Sequence, residues 1–182
     1  MTTDDEVTGW ALRARKGDRD ALERFVRATQ RDVWRFVAHL ASVDQADDLA
    51  QECYERAIGS LAGFEGRAPA RVWLLSIARR VVVDHVRRAQ RRPRVSDGAD
   101  WLAEADRRTA RGGFEDLVDL SLLLAGLAEE RREALVLTQV LGLSYAEAAE
   151  IAECPIGTIR SRVARARDDL IAAADADAAS GF

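Results

Sequence analysis

Cysteine is scarce in this sequence: Cys53 and Cys154 are the only two among 182 residues. They are far apart and have neither a second cysteine nor a histidine at ligand spacing, so neither a disulfide framework nor a zinc site is supported. No stretch approaches the roughly eighteen uninterrupted apolar residues of a membrane span. Residues 1–10 also lack the basic segment that precedes the apolar core of a signal peptide, so the expectation is a cytoplasmic protein without membrane insertion. Catalytic groupings are missing as well. His39 and His85 have no nucleophile at motif spacing, and the glycines form no phosphate-cradling pattern. The expectation is therefore no catalytic residue, no metal and no cofactor, in a chain that is not an enzyme.

What is present is helix-forming. Ala, Leu, Arg and Glu dominate, 48% of the residues are hydrophobic, and the apolar positions recur at three and four rather than at two. The expected fold is all-α, with two small helical domains. The first, 1–90, holds an apolar helix in 21–40, a second helix opened by Asp44 as N-cap, a loop marked by Gly59, Gly63, Gly66 and Pro69, and a third helix over about 71–90. Residues 91–113 turn to Arg, Asp, Gly, Pro and Ser with little to bury, which is the composition of a flexible linker. Periodicity resumes over 114–174 in a second helical group, and the tail, 175–182, is expected to fray.

The net charge of −4 argues against a simple basic DNA-binding domain, but its distribution is uneven. Residues 41–66 hold six acids against Arg56, and residues 67–94 hold nine arginines against Asp84, so the sign runs from −5 to +8. A second basic block follows at Arg160, Arg162, Arg165 and Arg167. Two cationic surfaces on an acidic chain point to two DNA contacts and a partner that is not DNA.

The run LSYAEAAEIAECPIGTIRSRV over 143–163 has the spacing of a helix-turn-helix, with Ser144 as cap and Cys154-Pro155 as the break. Ile156, Ile159, Val163, Ala166 and Leu170 fall on one side and are expected in the core. Gly157, Thr158, Ser161 and Arg165 then face outward, flanked by Arg160 and Arg162, a surface suited to a major groove. The alternative is a solvated arginine face on a helical hairpin. In 67–94, Arg79, Arg80, Val83 and Arg87 share an outer face, opposite Trp73, Leu74, Ile77 and Val81. A valine among arginines suits an unstacked base, while Asp84 is expected to pair with Arg80 or Arg88 one turn away. Asp48, Gln51, Glu52 and Glu55 form an acidic stripe, which is either solvated or complementary to a basic partner.

Three blocks in this order resemble the extracytoplasmic-function sigma factors of the sigma-70 family. DDLAQECYERA over 47–57 is similar to the segment that docks on the β′ clamp helices of RNA polymerase, which implies core-binding roles for Asp47, Asp48, Gln51, Glu52 and Glu55. FEGRAPARVWLLSIARRVVVDHVRR over 64–88 resembles the family's loop and helix that melt and read the −10 element. That resemblance implies DNA contacts by Arg67, Arg71, Trp73, Arg79, Arg80, Val83 and Arg87, with a non-template base held flipped out near 67–71. Residues 143–170 resemble the helix-turn-helix that reads the −35 element, implying Gly157, Thr158, Arg160, Ser161, Arg162 and Arg165. The resemblance further implies core RNA polymerase as partner, through the β′ clamp helices and the β flap, together with promoter DNA and a possible anti-sigma factor.

Two positions depart from the family's pattern. Glu153 stands where a turn glycine is common, at a cost of order 1 kcal/mol if its backbone is left-handed. Arg80 stands where relatives often carry a polar amide. A free-standing helix-turn-helix regulator explains 114–174 alone, and a helical scaffold explains neither arginine face. The acidic remainder is expected to keep the free chain off random DNA.

Overall fold

The computed structural model describes residues 2–91, 120 and 123–180, and all regular structure among them is helical. The helices are α1 (Asp4–Ala14), α2 (Arg19–Leu40), α3 (Ala46–Ser60), α4 (Ala70–Arg91), α5 (Glu129–Leu135), α6 (Tyr145–Ile151) and α7 (Ile156–Ser180). The expected linker, 91–113, lies outside the described residues except for Arg91, which closes α4.

Helix starts follow local chemistry. Thr3 and Glu6 form a capping box on α1, the Glu6 amide donating to Thr3 Oγ1 at 3.3 Å and the Thr3 amide to Glu6 Oε2 at 2.8 Å. These hydrogen bonds hold the Glu6 carboxyl below the ordinary carboxylate range. Asp18 caps α2 by accepting from the Ala21 amide at 3.0 Å. Asp44 sits in a 3-10 turn, Val43–Gln45, so that Gln45 rather than Asp44 is the residue preceding α3. The chain leaves α2 in this tighter turn, which moves the start of α3 past Asp44.

α1 to α4 pack around Phe25, Phe36, Leu74, Leu75 and Val81, all at most 1% exposed. Within this core the Tyr54 hydroxyl lies 2.7 Å from Thr29 Oγ1, and Thr29 donates to the Phe25 carbonyl at 2.8 Å. Thr29 thereby satisfies Tyr54, and burial pushes the phenol pKa up. The second group, α5 to α7, buries Leu124, Leu137, Ile151, Ile159 and Val163. α5 runs into a π turn, Val136–Val140, where the Leu141 amide donates to the Val136 carbonyl at 2.9 Å.

One departure concerns α7. Ile156, expected in the core, is 42% exposed at the first residue of the helix. The helix extends to Ser180, as its Ala-rich composition favours.

The two groups meet along α4. Arg71 donates through Nε to Asp32 Oδ2 at 2.7 Å and through Nη2 to the Leu141 carbonyl at 2.6 Å. Arg79 Nε donates to Glu133 Oε1 at 2.6 Å, and Arg80 lies 3.5 Å from Glu153. Glu133 is only 7% exposed.

Between α6 and α7 the Cys154 amide donates to the Ala149 carbonyl at 3.1 Å and the Glu153 amide to the Glu150 carbonyl at 3.3 Å. This is a Schellman ending, with Glu153 in the left-handed position at φ 53°. Because glycine reaches that conformation without the Cβ penalty, Glu153→Gly should stabilise the fold by about 1 kcal/mol. The lost Arg80 contact is too exposed to offset that gain. Urea unfolding checks it, and an unchanged or lowered midpoint refutes it.

Burial pushes the Glu133 carboxyl above the ordinary carboxylate range, against the opposing pull of Arg79. The folded chain therefore holds this proton more tightly than the unfolded chain does. The group's contribution to stability is fully present below about pH 4.3 and declines as pH rises through the raised value. Glu133→Gln should remove that decline, so that the stability difference moves in the variant's favour between about pH 4 and pH 7. Urea midpoints across that range measure it, and a pH-independent difference contradicts the argument.

Candidate nucleic-acid and polymerase interface

The loop 64–69 and the first half of α4 form one wall of a cleft of about 400 Å³, and α6 with its turn forms the other. Phe64 and Trp73 stack at a centroid distance of 4.8 Å with a 37° tilt. Trp73 does not sit opposite Arg80, as expected above. Seven residues separate them, two helical turns, so their directions differ by only about 20°. The half-buried indole lines the cleft beside Arg67, Ser76, Arg80, Glu150 and Glu153.

The expected −10 residues divide by how freely they point outward. Arg67 is 86% exposed and ion-paired with Glu65 at 2.5 Å. Arg80 and Arg87 are exposed, and Val83 lies half-buried between them. Arg79, with 24% of its side chain exposed, is held by Glu133. Arg71, at 20%, is held by Asp32. The hydrogen-bond donor to Asp84 comes from a neighbouring helix, with Arg88 of its own helix a lesser electrostatic partner. Arg56 Nη1 donates to Asp84 Oδ2 at 2.9 Å from α3, and this keeps the Asp84 carboxyl below its usual range. Arg56 also holds Glu52 at 2.5 Å, and Arg88 approaches Glu52 at 3.6 Å. A four-member ion network thus ties α3 to α4.

That network divides the acidic stripe. Glu52 faces α4, and Asp47 accepts from Trp34 Nε1 at 2.8 Å. Asp48, Gln51 and Glu55 remain fully outward, with Gln51 Nε2 donating to Glu55 Oε1 at 3.0 Å.

On α7 the expected face is assembled. Ser144 and Glu147 cap α6 reciprocally at 2.8 and 3.2 Å. Ile159, Val163 and Ala166 turn inward at no more than 1% exposure. Gly157, Arg160, Ser161 and Arg165 are exposed, and Thr158 and Arg162 are half-buried. Arg162 leans on Cys154 Sγ at 3.7 Å, and Ser161 Oγ donates to the Thr158 carbonyl at 2.9 Å. Among the described residues Arg160 and Arg165 carry no ion pair, so they are the cations of this face least committed to the fold. The partners Asp32, Glu133 and Leu141 were not foreseen from the sequence. They lie 39, 54 and 70 residues from the arginines they engage, beyond the reach of any local pattern.

A family model described as Sigma-70 region 2 matches residues 25–92, and one described as Sigma-70, region 4 matches residues 117–170. The ECF RNA polymerase sigma factor SigC of Mycobacterium tuberculosis is 55% identical over 180 residues, covering 98% of this chain and 96% of that protein. The ECF RNA polymerase sigma-E factor of Escherichia coli is 31% identical over 171 residues, covering 87% and 88%. Among solved structures, the sigma factor RpoE of Bartonella quintana in complex with the anti-sigma factor NepR aligns at a TM-score of 0.68 and 30% identity, over 82% of this chain and 93% of that one. CnrH in complex with the cytosolic domain of CnrY aligns at a TM-score of 0.75 and 24% identity, over 94% and 99%, a likeness of fold. Both arginine faces fall inside the two matched regions, and the relatives extend over nearly the whole chain, which therefore belongs to the sigma-70 family as an alternative sigma factor of the extracytoplasmic-function type.

Proposed function

We propose that residues 1–90 bind core RNA polymerase and read the −10 element, that 91–113 connect, and that 114–174 read the −35 element. The observation that carries this is the separation of surfaces. An outward acidic patch on α3 stands apart from two arginine faces on α4 and α7, so protein and DNA are engaged by different sides of one chain. Asp48, Gln51 and Glu55 meet the β′ clamp helices, with Asp47 and Glu52 at the margin. Arg80, Val83 and Arg87 lie along the −10 strand, Arg79 joins them when Glu133 releases it, and Arg67, Arg71 and Trp73 frame the flipped base. Gly157, Thr158, Arg160, Ser161, Arg162 and Arg165 face the −35 groove.

The chain catalyses no reaction of its own, and nucleotide chemistry stays in the polymerase. It works in the cytoplasm, where polymerase and promoter are. Among the described residues no helix is long and apolar enough to cross a membrane. The β flap supports the second domain, and an anti-sigma factor is a further partner, as in the RpoE complex with NepR. A free-standing operator-binding regulator accounts for the second matched region only and leaves the first without a role.

Glu133 on Arg79 and Glu153 beside Arg80 occupy cations that would otherwise meet phosphate. Promoter engagement exchanges these carboxylates for DNA, which agrees with an acidic chain that stays off random duplex until polymerase separates the halves.

Run-off transcription with core polymerase tests the reading. The chain should permit promoter-specific initiation, and operator binding with no polymerase dependence would sink it. Asp48→Arg with Glu55→Arg should weaken core binding at least tenfold, about 1.4 kcal/mol, without loss of helicity, and an unchanged titration rejects the α3 assignment. Arg165→Ala should lower −35-dependent transcription by about tenfold, the loss expected for one arginine contact, with core affinity intact. An unaltered yield returns that arginine to the solvated face.

A further inference from the structure

Helix α1 precedes the region 2 match, which begins at residue 25, and neither arginine face includes it. It nevertheless grips the loop leading into α4 at three points. Thr8 Oγ1 donates to the Asp4 carbonyl at 2.8 Å and accepts from the Ala70 amide at 3.0 Å. That amide opens α4 and has no carbonyl partner within its own helix. Arg15 Nη1 donates to the Phe64 carbonyl at 2.9 Å. Between these ties Gly66 adopts φ 73°, and a Cβ there would stand 3.2 Å from Leu12 Cδ1.

Thr8, Leu12 and Arg15 stand at i, i+4 and i+7, one face of one helix. Arg15 and Thr8 hold the beginning and the end of the loop by its backbone, a carbonyl and an amide, and Leu12 lies beside its middle, where only a glycine leaves room. Because the backbone carries the grip, Arg67 and Trp73 are left to line the cleft.

We infer that α1 is the positioning element of the promoter-reading loop, with Thr8 and Arg15 as positioning residues that touch no DNA themselves. The inference rests on the reading of 64–80 as the −10 site. A side-chain pocket selects a base only while its backbone is held to within a fraction of an ångström, and a loop tied by two hydrogen bonds loses that register when they are removed.

The test transcribes a promoter pool randomised at both elements, using core polymerase and the full chain, and sequences the transcribed templates. Thr8→Val with Arg15→Met should reduce base enrichment at the −10 positions by about tenfold, as two lost hydrogen bonds imply, while −35 enrichment stays at the parental level. Thr8→Ser, which keeps the hydroxyl, should retain the parental −10 enrichment. A merely structural role would lower yield and leave both enrichments intact, which overturns the inference. If the double variant fails to fold, Thr8→Val alone should show about a fivefold loss, and its absence likewise overturns the inference. Trp73→Ala separates the two levels. Loss of −10 enrichment there but not in the α1 variants defeats the positioning role alone, and parental enrichment in Trp73→Ala defeats the site reading and the inference with it.

Discussion

Three guanidinia of α4 reach across to the second half of this molecule, and that of Arg71 is shared between the two halves. Arg71 stands in the first turn of α4, where one arm meets Asp32 of α2 and another meets the Leu141 carbonyl at the end of the π turn. The planar fork allows two acceptors at fixed angles, which a lysine ammonium on a flexible stem would not match as well. The carboxylate contact lies within the first domain and would outlast a separation of the halves, whereas the carbonyl contact would not, leaving Arg71 oriented with a free donor.

Elsewhere the molecule repeats this economy with carboxylates. Glu133 is desolvated against Arg79, and breaking a buried ion pair costs more than the pair gains. The contact is therefore better suited to fixing one arrangement of the halves than to raising stability. Glu153 beside Arg80 is the opposite case, exposed on both sides and weak. Its carboxylate adds charge opposite Arg80 while its backbone accepts a left-handed strain. The buried Leu49, Cys53 and Ala57 set the rotation of α3 and so which acids of the stripe look outward, while the part-exposed network of Glu52, Arg56, Asp84 and Arg88 lies at the edge of the α3–α4 contact.

Periodicity and caps made most of the helical architecture legible in the sequence: the inward set Ile159, Val163 and Ala166 and the Ser144 cap stand where the pattern places them, and the break at Cys154-Pro155 falls within the turn between Ile151 and Ile156. The failures share a cause. Periodicity gives direction around a helix axis but not what lies in that direction, so Ile156 points the same way as Val163 and still meets solvent. Asp84 had arginines one turn away and takes its hydrogen bond from Arg56 of the neighbouring helix, which also pairs with Glu52. The grip of α1 on 64–70 and the pairing of Arg79 with Glu133 depend on contacts more than 45 residues apart, which leave no trace in local spacing. The acidic stripe was visible as a stripe, but its division into inward and outward members was not.

The two thiols occupy chemically different worlds. Burial pushes Cys53 up to about 12, so at neutral pH the reactive thiolate is scarce, and electrophiles reach it only when α3 parts from its neighbours. Cys154 is half-buried in the turn of the helix-turn-helix, with the Arg162 guanidinium against its sulfur. A maleimide dye under native conditions would thus mark the second helical half alone, and alkylation of Cys53 would report, on a separate clock, the opening of the other core.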